Sequence, residues 1–338
     1  MTPPPDRRPS MTDVARIAGV SAQTVSRVLN EPDRVADGTR ERIRAAMREL
    51  GYRRNLSARA LKRARSETIG LVHTGVSSYG PLSMLDAIER AARGEGLATQ
   101  VAVAGLDPDE ARAALGHLLD YGIDAMVVIS THEWMGEVVR REALPIPVVA
   151  VEAGNTGSGR ISVVAVDQYG GARDILEHLY ARGYRRIDHI AGPVDWFDGR
   201  ERARAWRDFL ADHDDVTGRL HPGTWAPPAG ADYVERYADD LPDAVFVAND
   251  AMALGVLHGL WRRGIDVPGR VAVAGVDDLA VSAYACPPLT SMRQPFVEVG
   301  TRVVDTLTDL MAGEPASTVV VPATLVTRAS TLGEDAQR

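Results

Sequence analysis

The stretch Asp13-Val14-Ala15-Arg16-Ile17-Ala18-Gly19-Val20-Ser21-Ala22-Gln23-Thr24-Val25-Ser26-Arg27-Val28-Leu29-Asn30 governs how this chain is read. Its apolar spacing predicts two short helices joined by a tight turn. Val14, Ile17 and Ala18 recur at helical spacing, Gly19 supplies a permissive turn backbone, and Ser21 stands where a second helix needs its N-cap. Val25, Val28 and Leu29 then make one apolar stripe. The face left over carries Ser21, Ala22, Gln23, Thr24, Ser26, Arg27 and Asn30. Arg can fork onto guanine and Gln onto adenine, while hydroxyls and helix N-termini suit phosphate, so the pattern predicts a second helix lying in a DNA major groove. The same pattern also describes an ordinary helical hairpin.

The residues beyond Asn30 separate these two possibilities. Val35 and Thr39 lead into a third helix expected over Thr39 to Leu50, with Ile43, Met47 and Leu50 inward and Arg40, Arg42, Arg44 and Arg48 outward. Three helices around one small core make a headpiece over about Met11 to Arg54. The set Asp13-Val14-Ala15, Ala18-Gly19-Val20-Ser21, Thr24-Val25-Ser26-Arg27-Val28, Thr39-Arg40 and Leu50-Gly51-Tyr52 resembles the LacI/GalR family of transcriptional regulators. The resemblance covers nearly the whole chain. It implies a three-helix helix-turn-helix headpiece followed by an α/β two-lobed body like that of periplasmic binding proteins, built on two doubly wound parallel sheets.

The 338 residues exceed one typical domain, and an apolar content of 45% with 25% charged residues is ordinary for a globular protein. The single Cys286 excludes a disulfide framework and a thiolate metal cluster, and is expected to be a small buried hydrophobe. No apolar run approaches the roughly 18 residues of a membrane span, and Met1 to Ser10 lacks the apolar core of a signal peptide, so a cytoplasmic protein is expected. A net charge of −8 looks wrong for a nucleic-acid partner until it is divided. Residues 1–65 hold 15 Arg and Lys against 7 Asp and Glu, or +8, which leaves −16 for residues 66–338. A basic head on an acidic body offers DNA one end only.

Taken in order, Thr2 to Pro9 carries Pro3, Pro4, Pro5 and Pro9 and reads as a disordered arm within residues 1–10. Residues 55–65, Asn-Leu-Ser-Ala-Arg-Ala-Leu-Lys-Arg-Ala-Arg, are too short and polar for a helix that stands alone. By the resemblance they are a hinge helix that folds on the operator, with Asn55, Ser57 and Ala58 toward DNA and Leu61 at the position of a minor-groove wedge. An apolar side chain that unstacks a base step can bend DNA in this way. Leu61 could instead pack a linker helix on the body, and Arg54 departs from the Pro common in the family there.

From Thr68 the pattern alternates. Apolar runs at Thr68 to His73, Ala98 to Val103, Ala125 to Ile129 and Val148 to Val151 are separated by helical stretches near Leu82 to Arg93, Asp109 to Tyr121 and Glu133 to Glu142. A second set has strands near Val163 to Val166, Arg186 to Ile190, Ala244 to Ala248 and Val271 to Val276, with helices near Tyr169 to Arg182, Arg200 to Ala211, Asp232 to Ala238 and Ala251 to Arg263. Such repetition implies doubly wound sheets with ligands at the carboxyl ends of the strands. Two hinged lobes make a cleft, lobe 1 at about 66–165 and 293–330 and lobe 2 at about 166–292. The return to lobe 1 after about Arg293 is implied by the resemblance.

Polar residues at strand ends are the first suspects for an effector site: Ser130, Glu152, Asn249 and Asp250, Asp277 and Asp278. Carboxylates, amides and Arg together suit the vicinal hydroxyls of a sugar, and Trp196 and Trp225 could stack on a pyranose face. By resemblance Arg202 matches the effector-contacting Arg of the family, although the Gly-aromatic pair that comes after it is here Ala205-Trp206, and Asn249 and Asp277 match two other recurrent contacts. Gly223-Thr224-Trp225 resembles the segment by which galactoside-responsive members place a Trp, which favours a glycoside; purine-responsive corepressor members share the same frame. The duller readings are that Asp277 caps a following helix, Asn249 merely ends a strand and Trp206 belongs to the core.

The competing class is an enzyme. Gly70, Gly75 and Gly80 do not fit G-x-G-x-x-G, there is no Walker-type Gly-Lys-Ser/Thr and no G-x-S-x-G elbow, and His132-Glu133 lacks the second His of a zinc helix. Asp277 and Asp278 are neighbours in sequence and need not face one another as a glycosidase pair must. An exported sugar-binding protein would need an export signal and no basic head. The expectation is therefore a non-enzymatic, DNA-binding repressor without metal or cofactor, whose partners are operator DNA, a small effector and a second copy of itself. Tetramerising family members end in a Leu-heptad tail; Gly-Glu-Asp-Ala-Gln-Arg after Leu332 offers none, so a homodimer is expected.

Overall fold

A computed structural model describes residues 9–52, 65–75, 78–157 and 159–332. The chain divides into two compact units, Met1–Ser66 and Glu67–Arg338. The expected hinge contacts Asn55, Ser57, Ala58 and Leu61 lie outside the described residues.

In the first unit, α1 (Met11–Ala18) begins at a capping box in which Ser10 Oγ accepts from the Asp13 amide and Asp13 accepts from the Ser10 amide, and it ends at Gly19 with φ 65°. That left-handed conformation is nearly free for glycine, so the turn costs little here. Ser21 caps α2 (Ala22–Asn30) by accepting from the Thr24 amide at 3.1 Å. Helix α3 (Asp37–Leu50) starts two residues before the expected Thr39. Val14, Ala15, Ala18, Val25, Val28, Ile43 and Ala46 form the core, with Met47 and Leu50 half-buried against it. Ile17 points outward instead, and Arg42, Arg44 and Arg48 are exposed.

The second unit holds two six-stranded sheets. The first is ordered β11-β5-β4-β3-β1-β2 from β1 (Thr68–His73), β2 (Ala98–Val103), β3 (Ala125–Ile129), β4 (Val148–Val151), β5 (Ile161–Val166) and β11 (Thr318–Val321), every pairing parallel. One face packs on α4 (Tyr79–Gly94) and α11 (Phe296–Ala312) through Ile69, Leu71, Ile88, Val127, Val303 and Leu307. The other packs on α5 (Pro108–Asp120) and α6 (Glu133–Arg141). The second sheet is ordered β12-β10-β9-β8-β6-β7 from β6 (Ile187–Ala191), β7 (Leu220–Pro222), β8 (Ala244–Val247), β9 (Ala272–Val276), β10 (Thr290–Arg293) and β12 (Thr324–Val326), with only the β10–β12 pairing antiparallel. Helices α7 (Gln168–Ala181) and α8 (Phe197–Asp212) cover one face, and α9 (Pro227–Arg236) and α10 (Asp250–Arg262) the other. Strands buried on both faces explain the uninterrupted apolar runs, since a half-exposed strand would alternate.

Among the described residues the chain crosses between the lobes three times: from β5 to α7, from β10 to α11 and from β11 to β12. Lobe 1 therefore regains residues 296–321 and not 293–330. Arg293 still belongs to β10, while β12 and the last turn, α12 (Ala329–Leu332), belong to lobe 2, where the Ser330 hydroxyl donates to Val273 O at 2.6 Å. Strands of three and four residues carry too little periodicity to be read from sequence. Helix α9 begins at Pro227, five residues before the expected Asp232, because the prolines serve its first turn, where their missing N–H is harmless. Cys286 is exposed, contrary to its expected burial, because it sits in the loop leading into β10 and not on a sheet. Among the described residues no helix is long and apolar enough to cross a membrane.

Candidate functional site

The exposed side of α2 presents Ala22, Gln23 and Arg27, with Thr24 and Ser26 half-buried beside them. Ser21 is exposed, but its hydroxyl lies 2.8 Å from Thr24 Oγ1 and caps the helix as well. Asn30 is the last residue of α2. The arrangement supplies a forked guanidinium, an amide and a helix N-terminus on one surface, which is the donor set for base edges and phosphates.

The second candidate site lies between the lobes. Ser130 leaves β3, Glu152 leaves β4 and Gln168 opens α7, and all three line one cleft together with Pro81, Met84, Thr131, Asp198, Gln294 and Phe296. The rule that strand ends face the crevice thus places Ser130 and Glu152 at it. Glu152 Oε1 accepts from Arg140 at 2.9 Å, while its buried Oε2 has no hydrogen-bond partner among the described residues. An unpaired buried carboxylate oxygen is costly unless something donates to it.

Arg202, on α8, is 2% exposed and donates Nε and Nη2 to Gln168 Oε1 at 2.9 and 2.8 Å and Nη1 to Ala248 O at 2.6 Å. Asp198 stands one turn before it, with Oδ2 3.7 Å from Arg202 Nη2. Partial burial between the lobes raises the Asp198 pKa by removing hydration. Asp277 comes directly after β9 with φ 110°, a conformation that an L-residue holds only under constraint. Its Oδ1 accepts from Gln294 Nε2 at 2.6 Å, and burial pushes its pKa up to about 7, with Arg202 opposing and Asp250 adding. It caps no helix: the 3-10 turn at Ala280–Tyr284 has no side-chain cap. Asn249 does cap, accepting from the Met252 amide at 3.0 Å and donating to Trp225 O at 3.0 Å. Neighbouring Asp250 is a brace, accepting from Ser282, Ser291 and the Leu279 amide, with burial raising its pKa to about 6.

Trp225 adopts φ 67° and lies against Gly192, where a Cβ would meet its ring at 2.1 Å. Trp196 meets it edge-on at 5.4 Å, and the Arg202 guanidinium is 5.6 Å from its centroid. The Trp225 indole N–H is buried without a partner among the described residues. Trp196 also closes the lobes: the Phe197 amide donates to Thr131 O at 3.0 Å, the His132 ring is 4.9 Å from the Trp196 ring, and Glu133 pairs with Arg200. Trp206 belongs to the core, donating to Ile187 O at 2.9 Å.

Sequence reading missed Gln168, Gln294 and Asp198. Gln294 comes directly after β10 and would have been found by the strand-end rule had that strand been legible, whereas Asp198 could be located only through its helical spacing from Arg202.

Residues 10–55 match bacterial regulatory proteins of the lacI family, and residues 176–331 match a periplasmic binding protein-like domain. The transcriptional regulator CelR of Thermobifida fusca is 32% identical over 336 residues, covering 93% of this chain and 95% of that protein. The crystal structure of the lac repressor dimer bound to operator and the anti-inducer ONPF is similar with a TM-score of 0.86 at 28% identity, covering 96% of this chain and 99% of that one. A CelR–cellobiose complex is similar with a TM-score of 0.67 at 30% identity, over 96% of this chain and all 100% of that one. With a lacI-type headpiece, a two-lobed binding-protein-like body and relatives alike over nearly their full length, the chain belongs to the lacI family of bacterial transcriptional regulators.

Proposed function

We propose that this regulator is a cytoplasmic homodimeric repressor, without enzymatic activity or cofactor, released from a near-palindromic operator when a small sugar or glycoside enters the interlobe cleft. Gln23 and Arg27 read base edges in successive major grooves, Ala22 tunes which pair is accepted, and Ser21, Thr24, Ser26 and Asn30 hold phosphate or flank the contact. The hinge segment with Asn55, Ser57, Ala58 and Leu61 opens the minor groove between half-sites. An effector that fits one lobe arrangement better than the other shifts hinge separation, and with it DNA affinity.

The observation that supports the effector reading is the gathering of Trp196, Arg202 and Asn249 around Trp225, with Asp277 tied by Gln294 to the lining of the interlobe cleft. Flat aromatic surface beside a guanidinium, an amide and carboxylates suits a ring that bears hydroxyls on its edge and C–H groups on its face. Glu152 Oε2 and the Trp225 N–H are an acceptor and a donor left buried without partners among the described residues, which suits a hydroxyl-bearing ligand. The relatives' names point the same way, since one is crystallised with cellobiose. Exposed Val101 and Val103 on the edge strand β2, with Val281 and Tyr284 in lobe 2, offer apolar surface for a second copy.

Intrinsic Trp fluorescence tests this. Titrating the purified protein with cellobiose, lactose, galactose and purines should give a saturable change for one sugar that Asp277→Ala abolishes. A response to a purine alone would move the protein to the corepressor branch, and silence throughout would leave only the DNA-binding part of the proposal.

A further inference from the structure

Arg202 and Asp277 do not touch, yet they are joined by two buried amides. Arg202 donates twice to Gln168 Oε1, Gln168 Nε2 donates to Gln294 Oε1 at 2.8 Å, and Gln294 Nε2 donates to Asp277 Oδ1 at 2.6 Å. The orientation of both amides is dictated by the charged ends. A guanidinium only donates, so Gln168 must turn its oxygen to it and its NH2 to Gln294; Gln294 must then turn its own NH2 to the carboxylate. Every link points the same way, from the Arg202 guanidinium to the Asp277 carboxyl group, so that each bond polarises the next. The four side chains are 2 to 8% exposed, so the links are shielded from water.

The placement of the two glutamines is what gives this relay a role. Gln168 is the first residue of α7, directly after the crossover from β5, and Gln294 is the first residue after β10, at the crossover to α11. We infer that Gln168 and Gln294 are positioning residues that couple effector contact at Arg202 and Asp277 to two of the strands joining the lobes. A ligand that takes those two side chains as partners competes with the glutamines for them. Each bond so exchanged releases an amide anchored on a crossover, and the interlobe angle responds. Contact at the ligand is thereby converted into movement at the hinge. The inference rests on the cleft being the effector site.

The test uses the full-length protein as wild type, Gln168→Glu and Gln294→Ala. Gln168→Glu keeps oxygens for Arg202 but cannot donate to Gln294, so it breaks one link while leaving the guanidinium held. Two quantities are read: sugar affinity by Trp fluorescence, with cellobiose, lactose and galactose as probes, and the ratio of operator affinity without and with saturating sugar, on a duplex selected in vitro with the wild-type protein. Both glutamines line the cleft, so sugar affinity is expected to move in either variant; at sugar concentrations that saturate each variant, the ratio should fall by about tenfold toward unity, within the usual range of allosteric coupling. A residue that merely supports the fold would lower thermal stability and leave that ratio alone. An unchanged ratio overturns the inference, as does a fall in affinity that accounts for the whole loss of response. If wild type answers no sugar, the effector reading fails separately. The relay is then judged by a Gln168→Ala, Gln294→Ala double-mutant cycle in urea, where a non-additive loss supports it and additivity overturns it.

Discussion

Asp277 is buried directly after β9, with Gln294 as its hydrogen-bond donor. Because burial raises its folded pKa to about 7, the folded protein binds a proton that the unfolded chain releases near its ordinary value. Its contribution to stability is therefore complete below about pH 4 and lost as pH rises through about 7. Asp277→Asn removes this dependence. Thermal melts should show the variant gaining on wild type between pH 4 and pH 8, by on the order of 1 to 3 kcal/mol at the upper end; parallel profiles would mean that Asp277 stays ionised throughout. On the other unit the decisive residue is Arg27, exposed on α2. Arg27→Ala should cost about 1 to 3 kcal/mol of discrimination between operator and mismatched duplex. Competition binding that returned wild-type discrimination would remove α2 from the groove.

At the scale of elements, α2 depends on Ser21, which is its N-cap and, in the proposed function, also part of the surface offered to DNA. Ser21→Ala should destabilise the headpiece by about 1 kcal/mol, measured by thermal melting of the full chain with far-UV detection. A melt unchanged within a few tenths of a kcal/mol would mean that another group serves the Thr24 amide. In lobe 2 the turn holding Trp225 is fixed by its contact with Gly192, where a Cβ has no room. Gly192→Ala should therefore displace the indole and shift the Trp emission, at a cost of about 1 to 3 kcal/mol for overpacking. A wild-type spectrum with unchanged stability would show that the backbone yields instead.

For the whole molecule, the prediction concerns assembly. Sedimentation should find a dimer, and Tyr284→Asp, which places a charge on the 85% exposed ring position in lobe 2, should shift it toward monomer with weakened operator binding. A stable tetramer, or a dimer indifferent to the substitution, would place the interface elsewhere. The sequence by itself determined the headpiece helices, their turn at Gly19, the cap at Ser21 and most of the longer elements of the alternating body to within a few residues, because caps, glycine turns and doubly buried apolar strands are local signals. It also set Arg202, Asn249, Asp277 and the two tryptophans apart as candidates. Only the tertiary structure decided that residues 324–332 rejoin lobe 2, that Ile17 and Cys286 face outward, and that Gln168 and Gln294 join Arg202 to Asp277. Those outcomes depend on contacts between residues 126 positions apart in the chain, or on strands too short to repeat a pattern, and no local preference records either.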